Sequence, residues 1–177
     1  SRKQEITKML SVMLSLMDDF EEYEFVIAGA PSQDFSFYKQ IIGDRKVGFI
    51  NNETYDLLSV SFAALVGSGT ATLETALFKV PQVVCYKGSA ISYQIAKRII
   101  TLKFISLVNL IMDKEVVEEL IQNDFTIKKL KAALIKILDP AHREKLFIAY
   151  FELEKTLGGK GASLRVAKQI VAGLKAK

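Results

Sequence analysis

The residues best suited to bind a ligand lie in one segment that links an apolar run to a predicted helix. Residues 66–74 read Val-Gly-Ser-Gly-Thr-Ala-Thr-Leu-Glu. Glycine lets a backbone approach a ligand closely, and the free N–H groups at the start of a helix favour an anion such as phosphate. Ser68 and Thr70 add hydroxyl groups, and Glu74 follows Thr70 by four residues, on the same helix face. Ser68, Gly69 and Thr70 could hold phosphate at this helix start, and the Glu74 carboxylate could accept both hydroxyls of a ribose.

A role without a ligand also fits this segment. Serine and threonine are common helix N-caps, and a glutamate in the first helical turn suits the helix dipole. No Gly-Lys-Ser/Thr follows the glycines, which excludes a P-loop. The glycine spacing also differs from that of the dinucleotide-binding Gly-x-Gly-x-x-Gly motif.

Two further polar residues are candidates for the same site. Arg2 precedes a predicted helix and could make a forked, charge-assisted contact with a diphosphate. The alternative for Arg2 is a solvated basic pair with Lys3. Asn109 follows an apolar run and could bond a ligand phosphate or sugar, and its alternative is a turn residue or a helix cap.

Composition excludes several other chemistries. Cys85 is the only cysteine, which rules out an intramolecular disulfide and a Cys-x-x-Cys zinc site. It lies in an apolar run, where we expect a buried core residue. His142 is the only histidine, which argues against a Ser-His-Asp triad and against a histidine-rich metal site.

Short apolar runs alternate with helix-like segments in the first two-thirds of the chain. Apolar strands separated by helices indicate a parallel sheet covered on both faces, and right-handed crossovers then give a doubly wound, Rossmann-like α/β domain. Ligands bind at the carboxyl ends of the strands in such a sheet, which is where the 67–70 turn would lie. The predicted strands are residues 24–28, 47–50, 63–66, 82–86 and 104–107, and the predicted helices are residues 6–20, 54–60, 70–78 and 89–100.

From residue 113 onward the pattern is helical. Glu115, Glu118 and Glu119 would form one solvated face of the first helix in this part. Residues 158–161, which contain three glycines, would separate the last helix from the others. The predicted extra C-terminal helices are residues 114–122, 127–138, 141–155 and 162–175.

These patterns predict a single domain over residues 1–177. Residues 1–112 would form its α/β core, and residues 113–177 its helical part. A doubly wound domain normally opens with a strand that feeds its first helix. No such strand precedes Ser1, so we expect the chain to be part of a longer protein.

Charge is distributed unevenly along the chain. Residues 126–177 carry 12 basic and 4 acidic residues, whereas residues 1–125 carry 12 basic and 16 acidic ones. A basic helical end could meet nucleic acid, an anionic membrane surface or an anionic substrate, and the alternative is a solvated helix face. No apolar run reaches the roughly 20 residues that span a bilayer, and no signal peptide is apparent. We therefore expect a cytoplasmic location.

The segments described above, taken in order, resemble the C-terminal half of the lipid-A-disaccharide synthases, which are GT-B glycosyltransferases. The resemblance covers most of residues 1–125. Val108 and Glu118 stand where the family usually has proline, and we interpret both as local backbone changes. The matching pieces are Ser1-Arg2-x-x-Glu5-Ile6, residues 68–74, residues 80–86 (Val-Pro-Gln-Val-Val-Cys-Tyr), Ala96-Lys97-Arg98, Ser106-Leu107-x-Asn109-Leu110 and Glu115-x-Val117-x-Glu119-Leu120-x-Gln122.

The resemblance implies an activity and a set of site residues. The family joins a 2,3-diacylglucosamine from its UDP donor to 2,3-diacylglucosamine 1-phosphate and releases UDP. On this basis Arg2 would meet the diphosphate, Ser68, Gly69 and Thr70 would hold phosphate, Glu74 would bind the ribose, and Asn109 would contact phosphate or sugar. The catalytic base would belong to an N-terminal acceptor domain that is absent here, so no catalytic residue is expected in this chain. GT-B enzymes need no metal for this reaction, so the resemblance implies no metal and no cofactor, with the UDP-sugar as a substrate.

The resemblance also implies partners and a location. These are the two lipid-bearing substrates and the anionic inner-membrane surface of a bacterium, with which the protein would associate peripherally, and the chain could form a homo-oligomer. We expect no nucleic-acid partner. Two alternatives remain, namely another GT-B enzyme, such as a UDP-N-acetylglucosamine 2-epimerase or a muramyl-pathway transferase, and a non-catalytic nucleotide-binding module. We expect the isolated chain to bind UDP weakly and to turn nothing over.

Overall fold

The computed structural model describes residues 3–88, 103–158 and 161–175. Strands and helices alternate along the chain as far as the last strand, after which the described elements are helical. The predicted helix over residues 89–100 lies outside the described residues. The strands are β1 (Val26–Gly29), β2 (Gly48–Asn51), β3 (Ala64–Gly67), β4 (Gln82–Tyr86) and β5 (Glu118–Ile121). The helices are α1 (Lys3–Leu14), α2 (Phe35–Ile42), α3 (Thr54–Val60), α4 (Thr70–Leu77), α5 (Leu107–Met112), α6 (Ile127–Leu138), α7 (Pro140–Thr156) and α8 (Ala162–Lys175), with a short 3-10 helix at Met17–Asp19.

All strand pairs in the described part of the chain are parallel. β1 pairs with β2, and β4 lies between β3 and β5. These pairings confirm an α/β fold with parallel strands. The strands form a two-stranded and a three-stranded sheet, however, where the sequence predicts one.

Strand β4 is the centre of the larger hydrophobic core. Gln82–Cys85 are all buried, as expected for a parallel strand covered on both faces. Helices α6 and α7 pack on this core through Leu130, Ile137 and Leu153. Cys85 is part of it, as predicted, and this burial raises the pKa of its thiol.

Helix α1 joins the larger core to a smaller one. Ile6 and Leu14 belong to the smaller cluster, which α2 completes with buried Tyr38. Met9 and Met13 of the same helix pack against the larger cluster. The two sheets are therefore covered by one shared helix.

Helix α1 runs antiparallel to the strands. Near its start, the Lys3 ammonium lies 5.6 Å from the ring centroid of Phe37, in the first turn of the helix that follows β1. Beyond its end, Tyr23 stacks on Phe62, which precedes β3, with ring centroids 5.8 Å apart. Helix α1 therefore begins at the carboxyl edge of the strands and ends at their amino edge.

The predicted strand over residues 104–107 is wrong. Ser106 is the N-cap of α5, and its hydroxyl accepts a hydrogen bond from the Asn109 N–H at 3.2 Å. The N–H groups of Ile105 and Ser106 donate to the Glu119 carboxylate at 2.9 and 3.0 Å. Because the carboxylate takes these donors and the serine starts a helix, this segment does not enter a sheet.

The predicted helix over residues 114–122 is also wrong, because it contains strand β5. Pairing with β4 sets Val83 opposite Glu118, and Leu120 points into the core. The sheet therefore extends beyond residue 112. Glutamate is a good helix former, but intrinsic helix propensity amounts to a few tenths of a kcal/mol per residue, and pairing with the buried strand β4 outweighs it.

The three glutamates predicted to share a solvated helix face have different surroundings. Glu115 is exposed. Glu118 forms an ion pair with Lys136 at 3.0 Å, and the Glu119 carboxylate accepts hydrogen bonds from the α5 region. The expected common face therefore does not exist.

The helices predicted after residue 126 are confirmed as α6, α7 and α8. Thr126 and Asp139 cap the first two, accepting hydrogen bonds from the N–H groups of Lys129 and His142 at 3.3 and 2.9 Å. Pro140 occupies the first turn of α7, where a missing N–H costs nothing. Among the helices in the described ranges, none is long and apolar enough to cross a membrane.

Candidate functional site

The turn between β3 and α4 presents an open backbone at the carboxyl edge of the three-stranded sheet. Gly69 has φ 138° and ψ −160°, a conformation that is essentially confined to glycine. A Cβ atom added at Gly69 would meet no described atom within 4 Å. The Ser68 N–H donates to the Cys85 carbonyl at 3.2 Å, which fixes the turn against β4.

Helix α4 begins without a side-chain cap. The Thr72 N–H and hydroxyl both donate to the Gly69 carbonyl, at 3.2 and 2.8 Å, so this threonine turns back into the helix. Among the described residues, the N–H groups of Gly69, Thr70 and Ala71 have no acceptor. Free N–H groups at the positive end of a helix dipole form a site for an anion.

Three polar side chains surround this helix start. Within the described ranges, the hydroxyls of Ser68 and Thr70 and the carboxylate of Glu74 make no hydrogen bond or ion pair. Thr70 is exposed, and Ser68 and Glu74 are half-buried. The structure therefore brings together four of the predicted site residues, Gly69 included, as hydroxyl and N–H donors with a carboxylate one turn away. The donors suit a phosphate group, and the carboxylate suits a neighbouring diol.

Gln82 anchors α4 to the sheet, a role that the sequence analysis missed. Its side-chain amide donates to the Thr72 carbonyl at 2.9 Å, inside the core. Its Oε1 atom and the Tyr150 hydroxyl are buried without a hydrogen-bond partner among the described residues. The signal available in the sequence was a glutamine at the start of an apolar strand.

The beginning of α1 lies at the same edge of the sheets. The Met9 methyl group is 3.8 Å from the position of a Cβ on Gly67. Lys3 precedes Met9 by six residues, which corresponds to about 9 Å along a helix axis. Arg2 lies outside the described residues, so its predicted contact with a diphosphate stays a prediction.

Asn109 is buried in α5, and its side chain is already occupied. Its amide nitrogen donates to the Val117 carbonyl and to the Glu119 carboxylate, each at 2.8 Å. Its amide oxygen accepts from the N–H groups of Val116 and Val117 at 2.8 and 2.9 Å. A carboxamide has two donors and two acceptor positions, so the protein uses all four. Asn109 thus holds the segment that enters β5 and shares no described hydrogen bond with the 67–70 turn.

His142 lies half-buried at the start of α7. Burial lowers the pKa of its imidazole below the ordinary value, and the positive charges of Lys136 and Lys145 lower it further. Asp139 and Glu118 act in the opposite direction. In the part of the chain that the structure describes, no group of three or more His, Cys, Asp or Glu side chains could hold a metal ion.

The parallel strands, their covering helices and a helix start open to solvent define an α/β protein of the Rossmann-like class. The family model of lipid-A-disaccharide synthetase matches residues 1–169, and the chain belongs to that family. It is 37% identical over 175 residues to the lipid-A-disaccharide synthase of Syntrophus aciditrophicus, covering 94% of this chain and 46% of that protein. The enzyme of the same name from Anaeromyxobacter dehalogenans is 32% identical over 179 residues, covering 97% of this chain and 47% of that protein. The chain spans about half the length of these relatives.

Proposed function

We propose that this chain is the UDP-sugar-binding half of a glycosyltransferase. The full-length enzyme joins UDP-2,3-diacylglucosamine to 2,3-diacylglucosamine 1-phosphate and forms the lipid A disaccharide and UDP. The observation that carries this proposal is the uncapped start of α4, where free N–H groups adjoin Ser68, Thr70 and Glu74. The name of the family and of its relatives supports the choice of substrates.

The donor binds with its diphosphate on the first turn of α4. The N–H groups of Gly69, Thr70 and Ala71 donate to phosphate oxygens, and the dipole of the helix favours their negative charge. The Ser68 and Thr70 hydroxyls add two donors. The Glu74 carboxylate lies one turn further along and accepts the two ribose hydroxyls, which is why the site combines an anion-binding turn with an acid.

The same groups assist the reaction because charge develops on the leaving UDP. As the glycosidic bond breaks, its electron pair moves to the diphosphate oxygen, and fixed N–H dipoles stabilise the added negative charge. Arg2 supplies a positive charge at the diphosphate in this proposal. The acceptor site and the base that takes the proton from the acceptor hydroxyl belong to the rest of the protein. No metal is needed for these steps.

The full-length protein works at the cytoplasmic surface of the bacterial inner membrane. Both substrates carry acyl chains, so they reside in or next to a lipid surface. Residues 126–177 carry 12 basic and 4 acidic residues, and this positive net charge favours binding to an anionic surface. The association is therefore peripheral and partly electrostatic.

The transfer reaction is tested with the full-length protein and the two purified substrates. Mass spectrometry measures the disaccharide, and a coupled assay measures UDP. We expect one UDP released for each disaccharide formed. UDP release without disaccharide, or no turnover of this substrate pair, would contradict the proposed activity.

Kinetics of variants then test the residues. We expect Glu74→Gln to raise the donor KM by roughly tenfold, the effect of losing about 1.4 kcal/mol of binding. Arg2→Ala should lower kcat as well, because the diphosphate gains charge in the transition state. Glu144→Gln is the matched control, since Glu144 is exposed and follows Arg143, which bonds the Phe62 carbonyl at the opposite edge of the sheet. Equal and negligible effects of the first two changes would count against the site.

A further inference from the structure

The carbonyl group of Gly69 accepts two hydrogen bonds from one buried residue. The Thr72 N–H donates to it at 3.2 Å and the Thr72 hydroxyl at 2.8 Å. The other buried threonine of α4, Thr75, donates its hydroxyl to the carbonyl of Ala71, four residues earlier in the same helix. Thr72 instead reaches three residues back, to the glycine that precedes the helix. Its hydroxyl therefore joins the core to the turn of the candidate site.

The Gly69 carbonyl belongs to the same peptide unit as the Thr70 N–H. A peptide unit is planar and trans, so its carbonyl and its N–H point in opposite directions. Because the bonds from Thr72 hold the carbonyl toward the helix, they direct the Thr70 N–H away from it. That N–H has no acceptor among the described residues and is one of the donors of the candidate anion site. Thr72 thus sets the direction of a donor that lies outside the core.

Gly69 by itself would hold this peptide unit loosely. Glycine has more accessible backbone conformations than any other residue, and a Cβ at this position would meet no described atom within 4 Å. Helix α4 also begins without a side-chain cap at Gly69. The bond from the Thr72 hydroxyl therefore supplies a restraint that the glycine lacks.

Gln82 ties the backbone of Thr72 to the sheet. Its side-chain amide donates to the Thr72 carbonyl at 2.9 Å, and both residues are fully buried. Gln82 is the first residue of β4 and pairs with Ala64 of β3, so its own position is fixed by the sheet. A chain of contacts thus runs from β4 through Gln82 and Thr72 to the Gly69 carbonyl.

We infer that Thr72 is a positioning residue for the donor diphosphate, which aims the Thr70 N–H at a phosphate oxygen, and that Gln82 holds Thr72 in place. The inference rests on the proposed function, because it concerns the phosphate contact assigned there to the first turn of α4. Neither residue touches the ligand. An N–H dipole that is already aimed stabilises a negative charge without the cost of reorganisation. The uridine part of the donor does not depend on this peptide unit.

Calorimetry on the full-length protein tests this role with UDP and with uridine, which has the ribose diol but no phosphate. Thr72→Val removes the hydroxyl and keeps a β-branched side chain. We expect this change to weaken UDP binding by roughly tenfold, the effect of losing one hydrogen bond, and uridine binding by less than about twofold. Thr72→Ser keeps the hydroxyl, so we expect it to bind UDP within about twofold of the wild type.

Thr75→Val is the matched control for Thr72→Val. Thr75 is also buried in α4, and its hydroxyl makes a bond of the same length, 2.8 Å, to the Ala71 carbonyl. The N–H of that peptide unit belongs to Thr72 and is already bonded within the turn. We expect both valine variants to lose stability in urea unfolding, and Thr75→Val to bind UDP within about twofold of the wild type. Equal weakening of UDP binding by the two variants would overturn the inference, because the effect would then be a general one on α4.

Gln82→Met tests the second contact of this chain, since it keeps an unbranched side chain and removes the amide. We expect it to weaken UDP binding severalfold in the wild type and to add little in the Thr72→Val background, because both changes act on one peptide unit. Losses that multiply would overturn the role of Gln82. Unchanged UDP affinity in Thr72→Val, or equal losses for UDP and uridine, would overturn the role of Thr72. A wild-type protein that does not bind UDP would overturn the proposed function and this inference with it.

Discussion

The amide nitrogen of Asn109 lies 2.8 Å from the carboxylate of Glu119 and donates a hydrogen bond to it. The same carboxylate accepts from the Ser106 hydroxyl at 2.7 Å and from two backbone N–H groups. This network ties the start of α5 to β5. It explains why a segment rich in glutamate is a strand and why an asparagine expected to bind ligand is buried.

Replacing Asn109 should destabilise the fold. In Asn109→Ala, the Val117 carbonyl and the N–H groups of Val116 and Val117 lose their side-chain partner. The Glu119 carboxylate loses one of the four hydrogen bonds that it accepts within the described ranges. We expect the free energy of unfolding to fall by roughly 2–4 kcal/mol, the range for a buried hydrogen-bond network left incomplete. Urea unfolding followed by circular dichroism measures the change.

Asn123→Ala is the matched control for this prediction, because Asn123 is exposed. Its unfolding free energy should stay within about 0.5 kcal/mol of the wild type. If Asn109→Ala were as stable as this control, the network would not hold β5 in place.

A second prediction concerns the backbone of the candidate site. Gly69→Ala adds a methyl group that meets no described atom within 4 Å, so its effect comes from the backbone conformation alone. At φ 138° an alanine is strained by about 1–3 kcal/mol, and we expect a loss of stability of that size together with weaker UDP binding. Thermal unfolding and calorimetry measure the two effects.

Gly173→Ala serves as the comparison for Gly69→Ala. Gly173 lies within α8, where an added Cβ also meets no described atom within 4 Å. Alanine favours a helix over glycine by about 1 kcal/mol, so this variant should be equally or more stable. The same small gain from both substitutions would contradict the conformation assigned to the 67–70 turn.

The pH dependence of stability should reveal His142. Its pKa in the folded protein is lowered below the ordinary value of 6.5 by burial and by Lys136 and Lys145. The folded state therefore binds fewer protons than the unfolded state, so the contribution of His142 is fully present above pH 6.5 and is lost as the pH falls through the folded pKa. We expect His142→Gln to lose less stability than the wild type between pH 7.5 and pH 5, as measured by urea unfolding across that range. If the unfolding free energies of the two proteins changed equally with pH, His142 would have the same pKa in the folded and the unfolded state, which would contradict the prediction.

Much of the fold could be predicted because its signals are local. Apolar runs bounded by glycine or proline predict β1, β3 and β4 to within two residues of their ends, and helical spacing predicts α6 to α8. Helix α2 is not predicted, although Asp34 caps it through the Phe37 N–H at 3.0 Å. The N-cap and the apolar face of α2 extend over only a few residues. The aromatic residues around Tyr38 indicate core packing without indicating a helix.

The errors fall where the structure depends on distant partners. Residues 104–107 carry an apolar run, but Glu119, more than ten residues away, takes their N–H groups. The glutamates near residue 118 favour a helix when this segment is taken by itself. Their strand conformation follows from pairing with Val83 and its neighbours in β4. No pattern within either segment contains this information.

The candidate site likewise has one part that local sequence signals predict and one part that depends on distant residues. Gly69, Thr70 and Glu74 are recognisable because a turn and a helix start place them together within seven residues. The bond from Gln82 to the Thr72 carbonyl depends on how β4 packs under α4.

A UDP titration of this chain tests the central claim most directly, namely that the start of α4 binds the donor nucleotide. Calorimetry with UDP, with CDP and ADP as controls, is performed on the wild type, on Glu74→Gln and on Glu144→Gln. We predict saturable binding selective for UDP, weakened roughly tenfold by Glu74→Gln, about 1.4 kcal/mol, and unchanged by Glu144→Gln. UDP binding that Glu74→Gln leaves unaffected, or binding absent even from the full-length protein, would contradict the account.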